Sequence, residues 1–335
     1  MKGVSGQHPP EEHDMSKEIL GIHHVTAIAG DPQRNLNFYT GVLGLRLVKL
    51  TVNYDDAQTY HFYYGDAHGT PGTILTFFPW PHAKQGRQGH GQVTVTAFSV
   101  PEPSLDFWAK RLSEHGVEFE GPYGRFEEQV MAFSDPDGLR LELVAGPALT
   151  SEKREISSAI PVEYAIHGFH SATLAEEGYE RTASLLTATL GFRLVQQDGN
   201  RFRYTVRSGE PSTIVDVVCS PDSASGGMGS GVVHHIAWRT PDDPQQGEWH
   251  TEIARQGYNV SPVMDRKYFH SIYFREPGGV LFEIATDHPG FAVDEPAASL
   301  GARLVLPDWL ETRRSQIEAR LPPLRIPKAD AARSA

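Results

Sequence analysis

Leu43-Gly44-Leu45-Arg46-Leu47-Val48 and Leu190-Gly191-Phe192-Arg193-Leu194-Val195 are two copies of one hexapeptide, offset by 147 residues. The same offset lays Gly21-Ile22-His23 on Gly168-Phe169-His170, so the first quarter of the chain repeats in the third. A second offset, 141 residues, lays 117–138 on 258–279 without a gap, pairing Arg125 with Arg266, Phe133 with Phe274 and Pro136-Asp137-Gly138 with Pro277-Gly278-Gly279. The second quarter therefore repeats in the fourth. A duplication of this kind constrains architecture more firmly than local propensity does.

Each quarter reads as a short alternating strand, an amphipathic helix and three further strands separated by Gly, Asp or Pro turns, a βαβββ unit. In the first unit the pattern predicts a strand over 20–29, a helix near 32–43 and strands near 45–52, 60–64 and 73–78. In the fourth it predicts a strand over 232–239, a helix near 246–256, and strands near Val260, over 269–275 and over 280–286. The Gly-rich stretches 86–91 and 226–231 read as linkers, because no strand-to-helix turn follows them as a phosphate site requires. The fold class is α+β: four βαβββ modules forming two tandem domains with cup-shaped mixed sheets, at 19–146 and 165–290. A polar, disordered tail (1–18) precedes them, with Met15 as an alternative start, and a linker (147–164) divides them. The extension 291–335 offers a helix over 308–320, ended by Pro322-Pro323 and expected to pack on the domain surface rather than close over a site.

Composition narrows the functional classes. A chain of 335 residues suits about two domains, and 39% hydrophobic with 21% charged residues fits neither a disordered nor a fibrous protein. Thirty Lys and Arg against 42 Asp and Glu leave a net charge of −12, which repels phosphate backbones and anionic lipid, so neither nucleic acid nor a membrane is expected as a partner. The single cysteine, Cys219, excludes an intramolecular disulfide, an iron–sulfur cluster and a thiolate zinc site. No apolar run approaches the roughly 18–20 residues of a membrane span, and the N-terminal segment lacks the apolar middle of a signal peptide. The expectation is a cytoplasmic protein, homo-oligomeric by base rate.

Repeats preserve what the fold needs, so the chemistry is sought where the copies disagree. His24 falls opposite Ser171, His235 opposite Val95 (or Thr94, one residue away), Thr76 opposite Asp216, and Glu283 opposite Glu142. If the first and fourth units share a cup, it holds His24, His235, Glu283 and Thr76; the other holds Ser171, Val95, Glu142 and Asp216. Only the first set has two imidazoles and a carboxylate. That is the facial triad that suits non-haem Fe(II), leaving positions for substrate and dioxygen, and Thr76 does not complete a closed four-ligand cage. Of each His-His pair one ring is expected to face the metal, since strand neighbours point to opposite faces. His23 and His234 then orient the ligands, line the pocket edge or pack in the core. Tyr273 has Ala132 as its twin and is a candidate hydrogen-bond donor or acid. Arg266, the twin of Arg125, is either structural or a clamp for an anionic oxygen. His61, His170 and His270 read as structural.

The stretches Gly21-Ile22-His23-His24-Val25-Thr26, Gly231-Val232-Val233-His234-His235 and Pro277-Gly278-Gly279-Val280-Leu281-Phe282-Glu283 resemble those of the vicinal oxygen chelate superfamily. Within it the chain resembles the hydroquinone-type ring-cleaving dioxygenases and the ring-cleaving dioxygenases of the bacterial quinone response. The likeness covers roughly residues 20–321, including Gly69-Thr70-Pro71-Gly72-Thr73 and Asp265-Arg266-Lys267-Tyr268-Phe269. The resemblance implies Fe(II), with Mn(II) left open as a substitute, on His24, His235 and Glu283. It places Thr26, His234, Arg266 and Tyr273 around a small aromatic substrate that is cleaved with dioxygen, with His23 beside them. The loop between Arg266 and Tyr268 is shorter than in the hydroquinone dioxygenases. Aromatic catabolism and quinone detoxification both fit such a site. The alternatives are a glyoxalase-like metal-dependent lyase or isomerase, which needs a fourth protein ligand, and a metal-free module that binds small aromatics.

Overall fold

A computed structural model describes residues 17–146, 160–207 and 209–326. Most of the expected tail with Met15, and most of the linker, lie outside the described residues. The four βαβββ units are all present. The first comprises β1 (Ile22–Ala29), α1 (Pro32–Asn37), β2 (Arg46–Asn53), β3 (Asp56–Gly65) and β4 (Ile74–Pro79). The second is β5 (Gln92–Pro101), α2 (Leu105–Glu114), β6 (Phe119–Arg125), β7 (Glu128–Ser134) and β8 (Arg140–Gly146). The third is β9 (Phe169–Glu176), α3 (Glu180–Ser184), β10 (Arg193–Asp198), β11 (Arg201–Thr205) and β12 (Ile214–Cys219). The fourth is β13 (Val232–Thr240), α4 (Asp243–Arg255), β14 (Met264–Asp265), β15 (Phe269–Arg275) and β16 (Leu281–Pro289). The helices begin where the caps allow: the Asp31 carboxylate accepts from Arg34 N–H and the Asp242 carboxylate from Gln245 N–H, each ahead of a proline in the first turn. Each helix buries one stripe, Leu105, Trp108 and Leu112 on α2 and Gln246, Trp249 and Ile253 on α4.

The strands form two eight-stranded sheets, β14-β15-β16-β13-β1-β4-β3-β2 and β10-β11-β12-β9-β5-β8-β7-β6. Within every unit the first and last strands are parallel neighbours. Antiparallel pairing of β1 with β13 joins unit one to unit four, and β5 with β9 joins unit two to unit three. The sequence halves 19–146 and 165–290 each carry two units, but neither half owns a sheet: each cup takes one unit from either half. The two Gly-rich linkers, which make these crossings, pair with each other through Arg87 with Gly227 and His90 with Gly226. Glycine is required there, since a Cβ on Gly89 would stand 2.1 Å from the Ala224 carbonyl oxygen.

Two expectations are corrected. The strand expected near Val260 is the two-residue β14 further along, because Pro262 has no N–H for a ladder; Ser261 alone bonds to the backbone of Tyr273. The helix expected over 308–320 is two short helices, Asp308–Glu311 and Arg314–Glu318, which bury Leu310 and Ile317. The described part of the extension packs on the β2 edge: Val305 N–H bonds to the Leu50 carbonyl and Tyr60 OH to that of Pro322. Lys49, fully buried on β2, ties it down through Asp294 at 2.6 Å and Glu295 at 2.5 Å.

Replacing Lys49 by Met strips the buried cation from Asp294 and Glu295, which keep only Lys267 at 3.0 Å and Arg303 at 3.9 Å, and is expected to destabilise the fold by about 3 kcal/mol in urea denaturation. A second group makes stability depend on pH. Glu176 is fully buried against Gly278, neither carboxylate oxygen has a hydrogen-bond partner, and burial with nearby Glu276 pushes its pKa up to about 8. The folded state thus keeps a proton that the unfolded chain loses above its ordinary pKa of about 4.3, so stability falls as pH rises from there to about 8, by at most about 1.4 kcal/mol per unit. Glu176→Gln should flatten that slope and be more stable than wild type at pH 8.

Candidate metal centre

The centre lies where β1 meets β13, and two β-bulges build it. Ile22 pairs with Trp238 and His24 with Ala237, so His23 is an extra residue on β1. Thr26 pairs with His235 and Ala27 with Val233, so His234 is an extra residue on β13. A bulge cancels the alternation of a regular strand, and each extra histidine therefore leans onto its neighbour instead of facing away. His23 Nδ1 is 2.9 Å from His24 Nδ1, and His234 Nδ1 is 2.8 Å from His235 Nδ1. His23 Nε2 lies 3.1 Å from the Thr286 carbonyl, which can only accept, so Nε2 carries the hydrogen and Nδ1 accepts from His24. The lone pair of His24 is thereby fixed on Nε2.

That atom faces two others. His24 Nε2 and His235 Nε2 are 3.3 Å apart, and Glu283 Oε2 stands 3.2 Å from the first and 3.0 Å from the second. All three residues are buried. Oε2 has no hydrogen bond of acceptable angle, while Oε1 accepts from Ser271 Oγ–H. Burial alone would raise the Glu283 pKa, yet positive charge placed among these three groups holds it well below the carboxylate range. Burial pushes His235 below its usual value, Glu283 offsetting only part. Three electron-pair donors facing one another in the interior fit a cation, and the donor set, two imidazoles and one carboxylate with no fourth side chain, suits a divalent transition metal. Thr76 is turned to Thr26 Oγ1 and His61 Nε2, 2.9 Å from each.

A cavity of about 330 Å³ opens above these atoms, lined by His24, Thr26, His61, His234, His235 and Arg266 and walled by Phe78, Trp80, Phe269, Tyr273 and Leu281. A wider surface depression of about 580 Å³ beside Asp265, His270 and Trp309 contains none of the three donors. Tyr273 OH accepts from Arg266 Nε at 3.2 Å, and burial with neighbouring Glu283 raises its pKa, so the phenol keeps its proton. Arg266 also reaches Asp55 at 3.1 Å; burial opposes its charge, but Tyr273 and Asp55 sustain it. Burial, then His235, pushes His234 down to about 3, so its ring is neutral.

Of the residues singled out in the sequence, His24, His235 and Glu283 come together, and Thr26, His234, Arg266 and Tyr273 line the cavity. His23 does not: the bulge and the Thr286 carbonyl hold it behind His24, which leaves it the orienting role and not contact with a substrate. Ser271 escaped the sequence reading, although its twin at the 141-residue offset, Val130, was a signal. His61, read as structural, lines the cavity and links Thr76 to Tyr63 OH at 2.9 Å. The second cup carries the same bulges, at Thr94 and His170, so His235 corresponds to Val95. Ion pairs fill it instead: Arg125 holds Glu142 at 2.6 and 2.7 Å, and Arg203 holds Asp216.

The paired cups with a His-His-Glu centre in one of them define a metal-site class within a widespread fold, and sequence comparison gives it a name. The chain matches the profile of the Glyoxalase/Bleomycin resistance protein/Dioxygenase superfamily over residues 21–143 and 168–284 and belongs to that superfamily. It is 48% identical over 319 residues, 94% of this chain and all of the relative, to a Bacillus subtilis protein named "Putative ring-cleaving dioxygenase MhqO". It is 32% identical over 309 residues, 90% of this chain and 96% of the relative, to the chlorohydroquinone/hydroquinone 1,2-dioxygenase of Sphingobium indicum. A Bacillus subtilis crystal structure described as a dioxygenase of putative standing superposes with a TM-score of 0.88 at 47% identity, covering 93% of this chain and 99% of the other. Glyoxalase I of Zea mays shares the fold at a TM-score of 0.61 and 15% identity, covering 80% and 92%.

His23→Leu removes the acceptor that fixes the His24 tautomer and is expected to weaken divalent-cation binding by about 10- to 100-fold. Equilibrium dialysis against Fe(II) or Mn(II) reads this, and His170→Leu, the same change in the other cup, is expected to leave the affinity unchanged.

Proposed function

We propose that the protein is a non-haem Fe(II)-dependent dioxygenase that cleaves the ring of hydroquinone- or catechol-like substrates with dioxygen. The observation that carries this reading is the open triad of His24, His235 and Glu283 beneath an aromatic-walled cavity, with Thr76 withdrawn from any fourth ligand position. Names of the relatives support it, one being a chlorohydroquinone/hydroquinone 1,2-dioxygenase. Bound on those three residues, iron would supply the electron transfer between ring and dioxygen that a spin-paired organic substrate cannot provide alone.

The chain's own residues supply the rest. Phe78, Trp80 and Phe269 present apolar surface to a planar ring. Arg266 is the one cation lining the cavity among the described residues, and its guanidinium suits a phenolate oxygen. With His235 Nε2 committed to the metal, His235 Nδ1–H donates to His234 Nδ1, which leaves the hydrogen of His234 on Nε2. His234 is then a neutral hydrogen-bond donor toward substrate, not an imidazolium. Tyr273, its phenol held protonated beside Arg266, is the group placed to give a proton to a developing oxyanion.

Oxygen uptake by the anaerobically Fe(II)-loaded protein, given hydroquinone, methylhydroquinone and catechol in turn, tests the reading. Uptake should require the phenol, and His235→Ala should abolish it. Undiminished turnover in a Glu283→Gln protein that retains iron, or no uptake by the loaded wild type, would overturn it.

A further inference from the structure

Arg125 and Arg266 occupy one position of the fold. Each precedes a non-glycine residue in the left-handed region, Phe126 at φ 52° and Lys267 at φ 67°, and both pairs are related by the 141-residue offset. Their guanidiniums nonetheless choose different carboxylates. Arg125 takes Glu142 through both terminal nitrogens, at 2.7 and 2.6 Å. Glu142 is the counterpart of Glu283, each lying beside its twin partner across the final hairpin, Ala132 opposite Glu142 and Tyr273 opposite Glu283. Arg266 leaves Glu283 alone, placing Nη1 3.1 Å from Asp55 Oδ2 and Nε 3.2 Å from Tyr273 OH.

Asp55 lies in the turn between β2 and β3. Strand β2 and strand β14 are opposite edges of the same sheet, so the Asp55–Arg266 pair spans the open seam of the cup above the cavity. The matching hairpin of unit three closes through Asp198 and Arg201 as this one closes through Asn53 and Asp56, which puts Asn200 where Asp55 stands. The cup without the histidine pair thus lacks the carboxylate across the seam, and although Arg125 keeps a tyrosine contact on its own hairpin, Nη2 3.1 Å from Tyr123 OH, there the arginine falls onto the strand carboxylate.

We infer that Asp55 is a positioning residue that draws Arg266 across the seam and off Glu283, keeping that carboxylate free to bind a divalent cation. In its absence Arg266 closes on Glu283 as Arg125 closes on Glu142, a bidentate charge-assisted pair that competes directly with the metal. The inference rests on reading His24, His235 and Glu283 as a cation site and is independent of the ring-cleaving reaction.

Anaerobic equilibrium dialysis of the full chain against Fe(II) tests it, with wild type, Asp55→Asn, Arg266→Gln and the double variant in parallel. Asp55 is exposed in a turn, so its amide variant keeps the fold. Asp55→Asn should weaken Fe(II) binding by about tenfold, while the double variant should match Arg266→Gln to within about twofold, the non-additivity expected of residues acting through one contact. Unchanged affinity in Asp55→Asn, or the same loss whether or not Arg266 is present, overturns the inference. Failure of the wild type to bind Fe(II) overturns the cation reading and this inference together, and is distinguished by appearing before any substitution is made.

Discussion

The antiparallel contact of β1 with β13 governs the molecule. It is the only ladder between units one and four among the described residues, and it sets two bulges close together at the centre of one cup. Without the extra residue in each strand, His23 and His234 would face away from their neighbours by the ordinary alternation of a sheet. With it, two Nδ1–Nδ1 hydrogen bonds orient His24 and His235 while both Nε2 atoms stay directed at Glu283. The orientation is carried by backbone geometry at the middle of an eight-stranded sheet, where both rings are buried. Rigid strands place a site more accurately than loops do.

The same scaffold solves one electrostatic problem in two ways. Each cup buries a carboxylate on its last strand, and an isolated buried charge costs several kcal/mol. Around Glu142 the compensation is a guanidinium from the adjacent hairpin, and Asp216 in the same cup is held by Arg203 and Arg201. Around Glu283 the neighbours are imidazoles whose electron pairs point at the carboxylate oxygen, an arrangement satisfied by a cation but not by the protein alone. The silent cup therefore shows what the fold does with this position when no ligand is to be held: it seals it.

Much of this was legible in the sequence because duplication supplies an internal comparison. The two offsets gave the four units and their order, and the residues that break the repeat, His24, His235 and Tyr273 among them, converge on one cavity. Bulges were not legible. They are set by pairing register between strands far apart in sequence, so the rule of alternating faces wrongly sent His23 outward from His24. Ser271 was hidden for another reason: a serine opposite a valine looks like surface drift until the carboxylate it steadies is placed beside it. The strand expected near Val260 fails on Pro262, which has no N–H to give a ladder.

The cavity's polar groups show what kind of oxygen it is built to receive. Tyr273 is held in its protonated form by burial and Glu283, and the ring of His234 stays neutral, its Nδ1 occupied by His235. Arg266 adds a fixed positive charge at the rim, and Thr26 adds a hydroxyl already engaged with Thr76. Of the groups lining the space that could act as a base, Asp55 is paired with Arg266, and both ring nitrogens of His61 are engaged, Nε2 with Thr76 Oγ1 and Nδ1 with Tyr63 OH. A set of donors and a cation beside bases so engaged favours ligands that arrive as anions or lose their proton to the metal-bound state. Phenols, whose acidity rises sharply on a divalent cation, are such ligands, and aliphatic alcohols are not. The hydrogen-bond inventory thus suits an anionic oxygen, that of a phenolate among others, and it is the aromatic walls that suit the shape of a ring.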